Sequence, residues 1–112
     1  MDGQQDRDPR IERHLEPGEE VRVKARARDA VLAVTDRRLV VADETRLALA
    51  VPFDGVRRIQ FDIERRRPAT LVIVPEAPHD EPQVLAIPPE EYEVAANAIA
   101  RIGLAFAEHD RA

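Results

Sequence analysis

Residues Val31 to Asp43 read VLAVTDRRLVVAD, and the fold turns on this stretch. Two apolar runs rich in β-branched side chains flank the polar segment Thr35-Asp36-Arg37-Arg38. Short runs of this kind, bounded by polar turns, predict two strands joined as an antiparallel hairpin. Ala30 to Thr35 and Leu39 to Ala42 carry few polar side chains, so this hairpin is expected to be the most fully buried part of the chain.

The pattern extends in both directions from there. Upstream, Val21, Val23, Ala25 and Ala27 alternate with Arg22, Lys24, Arg26 and Arg28. Period-2 alternation predicts a strand with one buried and one solvated face. Glu16-Pro17-Gly18-Glu19 ahead of it carries strong turn chemistry. Met1 to Arg10 is polar and expected to be loose, with Ile11 and Leu15 in a short turn that docks on the body. Downstream, Arg46 to Val51 reads as a fourth strand ended by Pro52, which lacks a ladder donor. Val56 to Ile63 alternates, with Ile59, Phe61 and Ile63 inward and Arg58, Gln60 and Asp62 outward. Thr70 to Val74 is a buried strand, Pro75 to Pro82 a loop, and Val84 to Ile87 a seventh strand.

Pro88-Pro89-Glu90-Glu91 is a helix-start signal, because proline suits the first turn and acidic side chains favour the positive end of the helix dipole. Tyr92, Ala95, Ile99, Ile102 and Phe106 then recur at helical spacing as one apolar stripe. A helix from Glu90 to Glu108 would be about 28 Å long. Gly103 inside it suggests close packing against a neighbour. Val94, Ala98 and Leu104 lie off the stripe, and an exposed Leu104 would support self-association or docking of a partner.

At 112 residues, 44% hydrophobic and 35% charged, the chain is one globular domain. Residues 15–108 are expected to form it, with a flexible segment over 1–14 and a tail over 109–112. There is no cysteine, which excludes a disulfide framework, a thiolate zinc site and a cysteine nucleophile. No apolar run approaches the ~20 residues of a membrane span, and the N-terminus has no secretory h-region, so a cytoplasmic protein is expected. The fold class is mainly β with one C-terminal helix. About seven short strands would form a small antiparallel barrel or two orthogonal sheets, capped by that helix.

Three segments resemble bacterial pleckstrin homology (PH) domains. They are Leu15-Glu16-Pro17-Gly18-Glu19, Ala33-Val34-Thr35-Asp36-Arg37-Arg38-Leu39 and Val51-Pro52-Phe53-Asp54-Gly55-Val56. The resemblance covers about Leu15 to Phe106 and implies the same architecture. Its motifs are turns and strand ends, so they specify fold far better than function. It also implies an assembly or adaptor role, with oligomerisation a reasonable expectation.

Charge placement is the one functional hint. Residues 22–67 hold twelve Lys or Arg against seven Asp or Glu, while the rest hold five against fifteen. The basic part is made mainly of Arg22, Lys24, Arg26 and Arg28 on the outer face of the first strand and Arg65, Arg66 and Arg67 in a connecting loop. The stripe loosely resembles the first-strand cations with which eukaryotic PH domains bind phosphoinositides. It reads first as a simple solvated strand face, with cross-strand pairing to acids such as Asp43 and Glu44 a further option. The turn after Arg28 is short for a phosphate cradle and carries Asp29. The Arg65–Arg67 run reads as a solvated loop or as a contact for an acidic protein surface, another copy included.

Catalysis and nucleic-acid binding find less support. His14, His79 and His109 are scattered, and His79-Asp80-Glu81 lacks the spacing of a metal site. With four glycines there is no phosphate loop, and there is no nucleophile elbow. No catalytic residue, metal or cofactor is expected, and no small-molecule substrate is evident. The Phe and Tyr residues fall at core positions, leaving no stacking platform for nucleic acid. The expected function is a non-catalytic interaction module working through protein contacts, self-association included. The alternative is peripheral binding of anionic membrane lipid through the basic strand face.

Overall fold

The computed structural model describes residues 8–63 and 68–111, with side chains as far as Leu104. Seven strands form two antiparallel sheets. In the first sheet β1 (Val21–Arg26), β2 (Val31–Thr35), β3 (Arg38–Ala42) and β4 (Leu47–Pro52) lie in sequential order. In the second, β5 (Val56–Asp62), β6 (Ala69–Pro75) and β7 (Gln83–Ile87) do the same. A short N-terminal helix α1 (Pro9–Glu12) precedes them, and α2 (Tyr92–Arg111) follows a 3₁₀ turn over Pro89–Glu91. A second 3₁₀ turn, Phe53–Gly55, connects the sheets.

The hairpin forms as its sequence predicts. Val34 pairs with Leu39, leaving Asp36 and Arg37 as the loop. All five residues of β2 are buried, as are Leu39 to Ala42 of β3. Burial on both faces has two sources. Leu32, Val34, Leu39 and Val41 enter the main core with Leu71, Ile73 and Ile87 of the second sheet and Ala95, Ala98 and Ile102 of α2. Val31, Ala33, Val40 and Ala42 form a second cluster on the opposite face under Ile11, with Leu15 and Val21 packed against it. The N-terminal segment is therefore the lid of the outer face, and Ile11 is only 1% exposed.

Several sequence expectations change. Ile63 is 59% exposed, because the β5–β6 ladder ends at Asp62 opposite Thr70 and no rung remains to cover the next side chain. On α2, Ala98 is fully buried although it lay off the predicted stripe. The helix packs mainly on β1, with the Phe53–Gly55 turn and β2 beside it, and its buried arc takes in both Ala95 and Ala98. Gly103 is not closely packed, since a Cβ built there meets nothing within 4 Å. The Phe106 side chain lies outside the described residues.

Candidate functional site

The first strand is an edge strand, and its alternation is broken near its start. Val21 pairs with Thr35 and Val23 with Val34, so Arg22 sits at a bulge. A bulge re-aims side chains and twists the edge. Val21 consequently packs with the outer cluster, while Val23 packs on the main core.

The four cations of the predicted stripe do not share one solvated face. Arg22 is exposed and pairs with Glu20 at 3.2 Å. It borders a crevice of about 260 Å³ together with Phe53, Arg101 and Leu104, which places it on the α2 side. The Lys24 ammonium is buried, and its charge contributes to holding the Asp8 carboxyl below the ordinary carboxylate range, after the larger effect of hydrogen bonds from Arg10. Arg26 and Arg28 remain exposed. Their backbones are tied down, with the Arg26 N–H donating to Glu91 Oε1 at 2.8 Å and the Arg28 N–H to the Ala86 carbonyl at 2.9 Å. The second bond joins the end of β1 to β7.

The turn after β1 is closed by Ala27 N–H donating to the Ala30 carbonyl at 2.8 Å. Asp43 and Glu44 are engaged by the N-terminal segment and by their own turn. Their carbonyls accept from Arg13 Nη2, and the Asp43 carboxylate accepts from the Thr45 and Arg46 N–H groups of its own turn. These turn bonds hold the Asp43 carboxyl below its usual range. Arg65, Arg66 and Arg67 lie outside the described residues.

Other edge strands are blunted too. Val41 faces Leu49 and Ala42 faces Leu47, so β4 carries an extra residue at Ala48. In β5 the register skips Arg57. Bulged edges are poor templates for a further strand. Contacts that would add a strand are thus hindered along β1, β4 and β5. The faces are a different matter. Leu104 is 64% exposed on α2, and Val84 is 68% exposed on the outer face of the second sheet.

The strongest electrostatic cluster is one that sequence reading passed over. Glu19, with a fully buried side chain, accepts from Arg38 Nε at 2.8 Å, Arg38 Nη2 at 3.0 Å, the Thr35 hydroxyl at 2.7 Å and the Glu16 N–H at 2.9 Å. Arg38, helped by burial-opposing bonds from Glu16 and Thr35, holds the Glu19 carboxyl down at about 2. Arg38 Nη2 also reaches the His14 carbonyl at 2.8 Å. The Glu16–Glu19 turn and the Thr35–Arg38 hairpin, which the sequence presents as separate motifs, are thus one stapled unit. Among the described residues no group of three or more His, Cys, Asp or Glu is placed to hold a metal ion, and His79 lies 4.0 Å from Asp80 at the exposed loop.

Two sheets in sequential order, closed by a C-terminal helix, match a solved structure. It is the crystal structure of a pleckstrin homology domain from Shewanella amazonensis SB2B, with a TM-score of 0.61 over 84% of this chain and 92% of that one, at 18% identity. The chain has the fold of a bacterial PH domain. No family model and no curated protein matches the sequence. In this PH-like chain two of the three segments that carry the sequence resemblance form the staple, and the third holds the Phe53–Gly55 turn between the sheets, which is why they report on fold. No described helix is long and apolar enough to cross a membrane.

Proposed function

We propose that this PH-like domain is a non-catalytic interaction module that works through protein–protein contacts. The observation that carries this reading is the dispersal of the β1 cations: one ammonium is buried, one guanidinium is paired beside α2, and two remain at a tightly closed turn. A membrane-binding face needs several cations presented together, each worth about 1 kcal/mol at an anionic surface. Exposed apolar side chains such as Leu104 and Val84 suit a protein partner better. The carboxyls with lowered pKa are held by structural hydrogen bonds, Asp8 and Asp43 by neighbours in their own turns and Glu19 by Arg38 and Thr35 across the hairpin, which supports a structural rather than a catalytic use.

Co-sedimentation with neutral and anionic vesicles at ~50 and ~200 mM salt tests the reading, because screening changes substantially over that range. No salt-dependent pelleting is expected. Binding to anionic vesicles alone, lost on Arg26→Ser with Arg28→Ser, would instead establish peripheral lipid binding.

A further inference from the structure

The outward face of α2 is a candidate for the contact that the proposed interaction module makes. Its buried residues, Ala95, Ala98 and Ile102, face the core. Directly opposite, Glu93, Asn97, Ala100 and Leu104 follow a 4-3-4 spacing, and all four are exposed. At 100° per residue they fall within an arc of about 60°, flanked by Ala96 and Arg101, which are exposed as well. This spacing sets the four side chains in one continuous stripe along the helix. The stripe is also electrically asymmetric. Glu90 and Glu93 mark its N-terminal end, and Arg101 stands eight residues beyond Glu93, about 12 Å along the axis. Neither Glu93 nor Arg101 forms an ion pair among the described residues. Among the described side chains of the helix, Leu104 is the large apolar one that is exposed, beside Arg101 over the crevice with Phe53.

A surface with an acidic end, a basic end and small or neutral side chains between them is complementary to itself when turned end for end. We propose that α2 pairs antiparallel with α2 of a second copy across a two-fold axis near Asn97–Ala100. This rests on the protein-contact reading above and names the partner. In that arrangement Arg101 of each copy meets Glu93 of the other, and Leu104 packs over the start of the facing helix. A two-fold interface repeats every contact, so each dimer holds two Glu93–Arg101 pairs. The short side chains of Ala96 and Ala100 allow close approach of the axes. One helix pair buries less surface than a standard protein interface, so the dimer is weak, with dissociation in the micromolar range or above.

Sedimentation velocity from ~1 to ~500 μM tests this. Wild type should shift from monomer to dimer across the series. E93R and R101E should each weaken dimerisation at least ~10-fold, since each creates two like-charge contacts. The two single variants mixed in equal amounts should dimerise with each other, because all four charges are then complementary. The double variant E93R/R101E should recover self-association. L104S should weaken the dimer without changing the far-ultraviolet circular dichroism spectrum.

A wild type that stays monomeric to ~500 μM overturns this pairing and leaves the broader protein-contact reading standing, with a different partner. A dimer indifferent to E93R, R101E and L104S places the interface elsewhere and overturns the antiparallel helix pair. Salt-sensitive pelleting with anionic vesicles, lost on Arg26→Ser with Arg28→Ser, would overturn the broader reading by itself.

Discussion

Four donors converge on the Glu19 carboxylate, two from Arg38, one from Thr35 and one from the Glu16 backbone. Removing one partner of a buried pair leaves the other without compensation, so Glu19→Gln should cost about 3 kcal/mol in urea unfolding. The sign of the pH effect follows from the lowered pKa. Because the folded group titrates at about 2 instead of 4.5, the folded state binds fewer protons, and the contribution is present above about pH 4.5. It is lost as pH falls from there towards 2, by up to about 3 kcal/mol. Urea titrations at steps from pH 6 to pH 2.5 should show this slope in wild type and a flatter one in Glu19→Gln. Gly18 stands at φ +80° in the same unit, where its turn is closed by Glu19 N–H donating to the Glu16 carbonyl at 3.0 Å. A side chain is strained there, so Gly18→Ala should lower stability by about 1 kcal/mol, read as a fall in urea midpoint with an unchanged m-value. The turn was legible from the Pro-Gly pair, but the staple was not, because Glu19 and Arg38 are nineteen positions apart and only tertiary packing joins them.

Gly103 illustrates the same limit within an element. Its place in an apolar helix suggested a tight neighbour, yet open space lies where a Cβ would be. Gly103→Ala should therefore stabilise the chain by about 0.5–1 kcal/mol through helix propensity alone, measurable as a raised urea midpoint. No change or a loss would mean that the site is covered in solution. The existence and order of all seven strands and of α2 were readable from periodicity and from proline and glycine punctuation. Their faces were less so. In β1 the period-2 pattern placed Arg22, Lys24, Arg26 and Arg28 together, but the bulge at Arg22 shifts the pattern by one residue. Nothing in VRVKAR marks that bulge, which shows only in the pairing of β1 with β2.

The molecule as a whole has a two-sided central hairpin, with one core beneath it and a lid above it. Ile11 is the keystone of the lid, so Ile11→Ala should cost about 2–4 kcal/mol despite lying near the N-terminus, as measured by thermal or urea unfolding. Amide exchange should be slowest in β2 and β3, whose residues are covered on both faces. By itself the sequence determined the strand and helix order, the buried hairpin and the turn positions, since these depend on local periodicity and turn chemistry. Only the tertiary structure decided which polar side chains are buried, that Lys24 and Glu19 belong to the interior while Leu104 faces outward, and that Arg38 joins the hairpin to the Glu16–Glu19 turn. Periodicity states which residues share a face; what covers that face depends on segments far away in the chain, here the N-terminal lid and α2.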